Sequence, residues 1–279
     1  MPYYKERSGL CAALRQYSTL FRIRFIGGLQ YRAAALAGIS TQFVWGGMTI
    51  LLFRAFYRSD PSSFPMDFQG LSSYIWMQQA FLALFMLWSM ENEPFELIRS
   101  GNVAYELCRP VDLYWMCFVR TAATRVSKAV LRCVPILLLA AFLPEPYGVR
   151  LPDAGIFLLF LLSMGLALLS VAAFSMLVYI STFYTLDSSG LRMLAASLTE
   201  FLSGAIIPLP FFPEPVERVL SLLPFAGMES TPLQIFAGTL AGKDALTAIL
   251  LQLFWAMVMI IGGKLWMQRA LSQVVAQGG

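Results

Sequence analysis

Long apolar runs dominate the chain, and shorter polar or charged segments separate them. A helix that crosses the hydrocarbon core of a bilayer needs about 20 mostly apolar residues. Backbone polar groups in lipid must be paired within the structure, so these runs predict helices rather than open sheets. We therefore predict an all-α polytopic membrane protein with six transmembrane helices. The six runs are Ala33–Phe53, Gly70–Met90, Val126–Leu143, Phe157–Phe183, Leu194–Phe212 and Ala245–Gly263.

Lysine and arginine are distributed unequally between the two sides that these spans define. An even number of spans places both termini on one side, and 15 of the 20 basic residues fall there. Cytoplasmic segments carry the excess of basic residues in membrane proteins. Both termini are therefore predicted to be cytoplasmic. The five basic residues on the other side are Arg54, Arg58, Arg150, Arg218 and Lys243.

The segment before the first span, residues 9–31, has the pattern of an amphipathic helix. Its apolar residues recur at helical spacing while Arg15 and Arg22 fall on other faces. A basic helix of this kind lies in the membrane interface. We interpret it as an elbow helix that leads into the first span; the alternative is a basic flank that only orients that span. The apolar positions are Leu10, Leu14, Tyr17, Phe21 and Phe25.

The connection between the second and third spans, Glu91–Arg120, is the longest on the cytoplasmic side. Ser100-Gly101 and Arg109-Pro110 divide it into short, rigid elements. It also keeps apolar residues that a solvated spacer would not need. We interpret it, with the residues up to 125, as a coupling surface for another protein. A loop packed on its own helix ends is an equally good reading of this segment. The apolar residues are Phe95, Leu97, Ile98, Val103, Tyr105 and Leu107.

On the outer side, residues 211–244 are too numerous for a turn and too apolar for a solvated loop. Four prolines interrupt two short helical runs. Apolar runs of about 10 residues suit a re-entrant or interfacial segment rather than a span. The predicted organisation is thus a cytoplasmic N-terminus with its elbow (1–32), one transmembrane domain (33–263) and a cytoplasmic tail (264–279). The prolines are Pro213, Pro215, Pro224 and Pro232.

Composition supports lipid as the main solvent of the chain. The 279 residues are 58% hydrophobic and 13% charged, with a mean hydropathy of +0.67, whereas soluble domains are about 25% charged. The chain has no histidine, which excludes imidazole bases, histidine-activated nucleophiles and histidine metal ligands. No pair of the four cysteines forms a C-x-x-C motif, so they are interpreted as reduced, structural thiols. They are Cys11, Cys108, Cys117 and Cys133.

One stretch, Gly238–Asp244, superficially resembles a nucleotide-binding P-loop. Its glycines are one residue too close, Asp244 stands where the motif needs Ser or Thr, and no strand precedes it. We interpret it as a turn before the last span. This chain is therefore not expected to hydrolyse ATP or to bind a cofactor itself, and we expect no nucleic acid among its partners.

Glu200 is the carboxylate that falls well inside a predicted span. Ionisable groups within the membrane must face the bundle, a cavity or a partner, so they are candidate functional residues by default. Glu200 could lie in a translocation path or at a seam between two permeases. A structural hydrogen bond to a neighbouring helix explains it equally well, since Ser197, Thr199 and Ser203 are close in sequence.

The order of these segments resembles that of the ABC-2 type exporter permeases. The similarity is strongest in Leu202–Leu209, with its Ser-Gly and a Pro four residues later, and continues in Phe212-Pro213, Leu223-Pro224-Phe225, Pro232 and Gly238. Ile98–Asn102 and Leu107–Pro110 resemble the cytoplasmic stretch of one ABC-2 subgroup. The resemblance covers essentially the whole chain.

The resemblance implies a dimer of two permeases, identical or related, in a bacterial inner membrane. Each would be docked on a separate cytoplasmic ATPase that binds ATP and Mg²⁺. By position it implies an elbow at Leu10–Arg24, a coupling contact within Glu91–Arg109 and an outer gate near Gly204–Phe225. The implied coupling residues are Glu91, Glu93, Glu96, Arg99, Gly101 and Arg109. The implied path or gate residues are Glu200, Ser203, Gly204, Pro208, Phe212 and Phe225.

Two other functions remain open on the sequence. A membrane-embedded enzyme acting on lipid-linked or hydrophobic substrates would need a metal cluster, paired carboxylates or an activated nucleophile. The acidic cluster at Glu91, Glu93 and Glu96 has no histidine or cysteine within helical reach. A secondary transporter usually shows inverted repeats with interrupted spans, and the runs show no such symmetry. Dependence on a P-loop ATPase partner distinguishes the exporter permease from both.

Overall fold

The computed structural model describes residues 10–109, 111–185 and 188–273, and the regular secondary structure in these ranges is entirely helical. This confirms the predicted all-α fold. Two single 3₁₀ turns, at Pro61–Ser63 and Leu209–Phe211, accompany the α-helices. The helices are α1 (Leu10–Gly28), α2 (Arg32–Ser59), α3 (Phe68–Phe85), α4 (Glu93–Arg99), α5 (Val103–Leu107), α6 (Leu113–Ala141), α7 (Ala154–Ser181), α8 (Ser189–Leu202), α9 (Glu214–Leu222), α10 (Pro224–Met228), α11 (Ser230–Ala237) and α12 (Gly242–Ser272).

Three of the described helices are long and apolar enough to cross a membrane: Ala35–Ser59, Ala154–Ser181 and Gly242–Ser272. They overlap the first, fourth and sixth predicted spans. The other three predicted spans correspond to α3, α6 and α8. These helices are shorter, more polar or more charged, so by length and composition alone they do not qualify as spans. The number of transmembrane helices therefore stays a prediction.

The fifth predicted span, Leu194–Phe212, is wrong as a continuous helix. Helix α8 ends at Leu202, and the chain turns through residues 203–208. Gly204 adopts a φ of +83°, a left-handed conformation that glycine tolerates at a helix C-terminus. A Cβ there would also lie 3.1 Å from the backbone nitrogen of Leu209. The apolar run thus continues past the helix into a turn that is itself apolar, with Ser203, Gly204, Pro208 and Leu209 buried and Ile206 and Ile207 exposed.

The boundaries of the second and third spans also differ from the prediction. Helix α6 begins at Leu113 rather than Val126, because the Asp112 side chain caps it by accepting a hydrogen bond from the Trp115 backbone N–H (3.1 Å). The coupling segment predicted at 91–125 therefore ends at residue 112. Helix α3 ends at Phe85, not Met90. The buried Arg125 guanidinium donates to the carbonyl oxygens of Leu84 (3.0 Å) and Met86 (2.9 Å) at that end.

Helix α7 lies at the centre of the bundle, where it contacts α3, α6, α8, α10, α11 and α12. One cluster of buried apolar residues joins α3, α6, α7 and α11, and a second joins α4, α6, α7 and α12. Helix α2 packs on α3 and α6 with one face. Its other face leaves large apolar side chains exposed, and an apolar surface of this kind marks a lipid or protein contact. These residues include Leu36, Trp45, Met48, Leu52 and Phe56.

A helix does occupy the segment predicted as the elbow, since α1 packs along α6. A Cβ at Gly28 would overlap the Ser127 hydroxyl, so glycine permits the close approach of these two helices. Tyr17, Phe21 and Phe25 are partly buried, as the amphipathic pattern predicts. Whether α1 lies in a membrane interface stays a prediction. Residues 1–9 and 274–279, parts of the predicted terminal segments, lie outside the described residues, as do the side chains of Leu10 and Cys11.

Candidate coupling surface and buried polar network

Helices α4 and α5 form a short platform at one end of the bundle, and its inner face is anchored in the core. Phe95 is buried between α7 and α8: its ring centroid lies 4.7 Å from that of Tyr179, and the Arg192 guanidinium lies 4.3 Å from its ring centre. Val103 is buried as well. Both residues therefore pack on the chain's own helices, as one of the two readings of this segment predicts.

The opposite face of the platform is open. Tyr105 is 75% exposed there, and Leu107, at the C-terminal end of α5, is 44% exposed. Large apolar side chains on a charged, exposed helical surface are typical of protein contacts. One face of the segment therefore packs on its own helix ends, and contact of the other face with a partner stays a prediction.

Glu93 links the platform to two other helices. Its carboxylate forms ion pairs with Arg24 of α1 (3.2 Å) and with Arg120 of α6. Partial burial disfavours the charged form of Glu93. The hydrogen bonds and charges of Arg120 and Arg24 outweigh that effect and hold the pKa of the carboxyl below its ordinary value. Glu93 thus fastens α4 to α1 and α6 within the chain.

The other predicted coupling residues are dispersed around the platform. Arg99 and Gly101 line a cavity of about 300 Å³ between the platform and the ends of α7 and α12. Glu96 is exposed, and Arg109 pairs with Glu106 at 3.2 Å. Glu91 lies apart from this group, against α6. The structure brings Arg99 and Gly101 together and places the remaining four at separate positions.

A network of buried polar side chains lies where the turn after α8 meets α3 and the α10–α11 junction. At its centre is Glu229, which is 2% exposed. The Gln78 side-chain amide donates to Glu229 Oε1 (2.8 Å) and to the carbonyl oxygen of Ala205 (3.0 Å). The Ser203 hydroxyl donates to Glu229 Oε2 (3.3 Å). These bonds tie the turn to α3 and to the segment before α11.

The network extends into neighbouring helices. Ser230 accepts hydrogen bonds from Gln234 (2.9 Å) and from the buried Tyr74 hydroxyl (3.4 Å). Gln252 of α12 donates to the carbonyl oxygens of Gly227 (2.6 Å) and Ser163 (2.9 Å). Buried polar groups that are fully hydrogen-bonded specify one arrangement of the helices around them. The outer segment is therefore fixed to α3, α7 and α12 by side-chain hydrogen bonds.

The predicted gate residues lie in or beside this network. Ser203, Gly204 and Pro208 are buried in the turn. The Phe212 ring lies 5.9 Å from that of Phe201, and the Phe225 ring lies 5.5 Å from that of Phe174. These aromatic contacts hold the start and the middle of the outer segment against α8 and α7.

The buried carboxylate of the described residues at this end is Glu229 rather than Glu200, the carboxylate that the apolar runs indicate. Glu200 is only partly buried, whereas Glu229 is enclosed. Glu229 was overlooked because it lies outside every predicted span, in the proline-rich outer segment. One signal could have indicated it: Glu229 is a single charge between the apolar stretches Pro224–Met228 and Pro232–Ala237.

Comparison with known proteins identifies the family. A family model described as "ABC-2 family transporter protein" matches residues 43–278, which is most of the chain. A search of the curated proteins finds no match. The match begins within α2 and extends through α12, so it includes the platform, the buried network, most of Ala35–Ser59 and all of the other two described helices that are long and apolar enough to span a membrane. The chain therefore belongs to the ABC-2 family of transporter proteins and is a membrane permease of that family.

Proposed function

We propose that this chain is the transmembrane subunit of an ATP-driven exporter and that it works through a separate ATPase docked at residues 91–112. The family match supports this proposal most strongly. ATP and Mg²⁺ would bind to the partner ATPase. In this proposal both termini are cytoplasmic, and the protein lies in a bacterial inner membrane.

The anchoring of the α4–α5 platform supports its role as the coupling element. An element that transmits a conformational change from the ATPase must be firmly attached to the membrane domain and accessible to the ATPase. Glu93 fastens the platform to α1 and α6, and Phe95 fastens it to α7 and α8. Tyr105 stays exposed on the face of α5 opposite the buried Val103, and Leu107 is exposed at the end of that helix. A push on that face would move α1, α6 and α7 together.

The exposed apolar faces of α2 and α8 suit a seam between two permeases. Met193 and Phe201 of α8 are 74% and 51% exposed. In a dimer these faces would line or flank the path between the two copies. The outer segment, held by Glu229 and Gln78, would close that path towards the outside. ATP-driven movement of the platforms would then separate the two copies and release the outer segment.

Co-purification tests the proposal. The tagged full chain is purified from its native membranes in mild detergent, and associated proteins are identified and assayed for ATP hydrolysis. We expect a P-loop ATPase whose turnover changes when the permease is present, and ATP-dependent transport after reconstitution in liposomes. Transport at an undiminished rate without any ATPase would contradict the proposal and would favour a secondary transporter.

A further inference from the structure

A cavity of about 690 Å³ lies between the C-terminal half of α1, the start of α2 and the middle of α6. This volume is within the range of small-molecule binding sites. It is separate from the 300 Å³ cavity beside the coupling platform, although Glu91 places it at the same end of the bundle. The polar network does not use it, and it meets the predicted coupling segment at Glu91 and at Arg24, which pairs with Glu93.

The walls of the cavity carry an excess of positive charge. Arg24, Lys128 and Arg132 line it, and Glu91 is the acidic residue among the lining residues. Arg24 is already paired with Glu93, and Arg132 packs over Gly38 and is within hydrogen-bond distance of Gln42. Lys128 has no ion pair within 4.0 Å among the described residues and is therefore the cation best placed to bind a ligand.

Apolar and aromatic side chains border the same cavity. Ile23 and Tyr31 are exposed at its edge, and Leu131 lines it from α6. A site that is basic on one side and apolar on the other matches the junction between a phosphate headgroup and an acyl chain. Basic pockets between helices at the cytoplasmic surface bind the headgroups of anionic lipids, and tyrosine is enriched at that depth.

We propose that this cavity binds the phosphate headgroup of an anionic phospholipid, with Lys128 as the principal cation and Ile23, Tyr31 and Leu131 against the first part of the acyl chain. The lipid would hold α1 against α2 and α6 at the level where the chain enters the membrane. This inference rests on membrane residence of the chain but not on its ATPase partner, so the two proposals can fail separately.

Two pairs of variants test the proposal. Lys128→Gln removes the cation, and Arg269→Gln is its control, because Arg269 is an exposed basic residue of α12 outside the cavity. Gly27→Leu fills the cavity from α1, and Gly47→Leu is its control. Both glycines lie within helices, and a Cβ on either meets nothing within 4 Å, so the pair is matched at the first side-chain atom.

The full chain is purified in detergent, and its thermal midpoint is measured during titration with short-chain phosphatidylglycerol, short-chain phosphatidylcholine or inorganic phosphate. We expect phosphatidylglycerol, but not phosphatidylcholine or inorganic phosphate, to raise the midpoint of the wild type. Lys128→Gln should raise about fivefold the phosphatidylglycerol concentration that gives the same rise in midpoint. Gly27→Leu should abolish the rise. Both controls should respond like the wild type.

Three results would overturn the proposal. One is an equal response to phosphatidylglycerol and phosphatidylcholine. Another is an unchanged phosphatidylglycerol response in both Lys128→Gln and Gly27→Leu. The third is a response to inorganic phosphate that Lys128→Gln removes, since the site would then bind free phosphate rather than lipid. Midpoints without added lipid show whether each variant is folded. If Lys128→Gln does not fold, Gly27→Leu and its control Gly47→Leu still test the proposal.

Discussion

Replacement of Gln78 by leucine tests the buried network most sharply. Leucine removes the donor that serves both Glu229 Oε1 and the carbonyl oxygen of Ala205. Each buried acceptor left without a partner costs about 1–3 kcal/mol, and a carboxylate costs more. We therefore expect Gln78→Leu to lower the free energy of unfolding by about 2–6 kcal/mol. The loosened contact between α3 and the turn after α8 should also expose the outer segment to protease.

The neighbouring residue provides a matched control. Gln79 is on the same helix and equally buried, but its side-chain oxygen has no hydrogen-bond partner among the described residues. Gln79→Leu makes the same chemical change without removing a side-chain hydrogen bond seen among the described residues, so it should be neutral or slightly stabilising. The thermal midpoint of each detergent-purified variant measures the difference, since 1 kcal/mol corresponds to roughly 2–4 °C for chains approaching this size.

A third variant separates hydrogen bonding from charge. Glu229→Gln keeps the side-chain shape and an oxygen that can accept from Gln78, so its cost should be about 1 kcal/mol. The reasoning would be refuted if Gln78→Leu were as stable as Gln79→Leu. It would also be refuted if Glu229→Gln cost more than Gln78→Leu, because charge rather than hydrogen bonding would then hold the segment.

Further predictions concern the links between elements. Since the folded pKa of Glu93 is below its ordinary value of 4.5, its ion pairs stabilise the fold above that pH. The stability advantage of the wild type over Glu93→Gln should therefore shrink as pH falls below about 4.5, and a constant difference from neutral to acid pH would contradict the assigned pairing. Gly204→Ala should destabilise the chain by about 1–2 kcal/mol because φ is positive there. Its control, Gly47→Ala, should stabilise α2 by up to about 1 kcal/mol. Equal thermal midpoints of the two variants would show that the turn after α8 does not need glycine.

The sequence predicts most helices but not all of their ends. Apolar runs located α2, α7 and α12 well, because a helix that faces lipid shows its length directly in its composition. Hydropathy cannot separate a helix from an apolar turn, so the pattern predicts one span over Leu194–Phe212 although α8 ends at Leu202. The start of α6 was missed because its first turns carry Arg120 and Arg125, whose charges are satisfied by tertiary contacts.

The candidate site was predictable in position but not in side-chain role. Spacing in sequence placed Glu93 and Phe95 in a coupling segment, yet Glu93 pairs with Arg24, which is 69 residues away. Likewise, Glu229 depends on Gln78, 151 residues away. Such pairings arise only when the helices are packed, so a single sequence does not reveal which carboxylate is exposed and which is enclosed.

A crosslinking measurement tests the central claim most directly. A photo-crosslinking amino acid is placed at Tyr105, on the open face of α5. In a separate variant it is placed at Phe142, which is 86% exposed and follows the C-terminal end of α6, the end of that helix far from the platform. Both variants are irradiated in intact membranes, and the products are identified by mass spectrometry. We predict that the residue at Tyr105 captures a P-loop ATPase and that the residue at Phe142 does not. Capture at Phe142 alone, or an ATPase-free product at Tyr105 in actively transporting membranes, would contradict a permease driven through this segment.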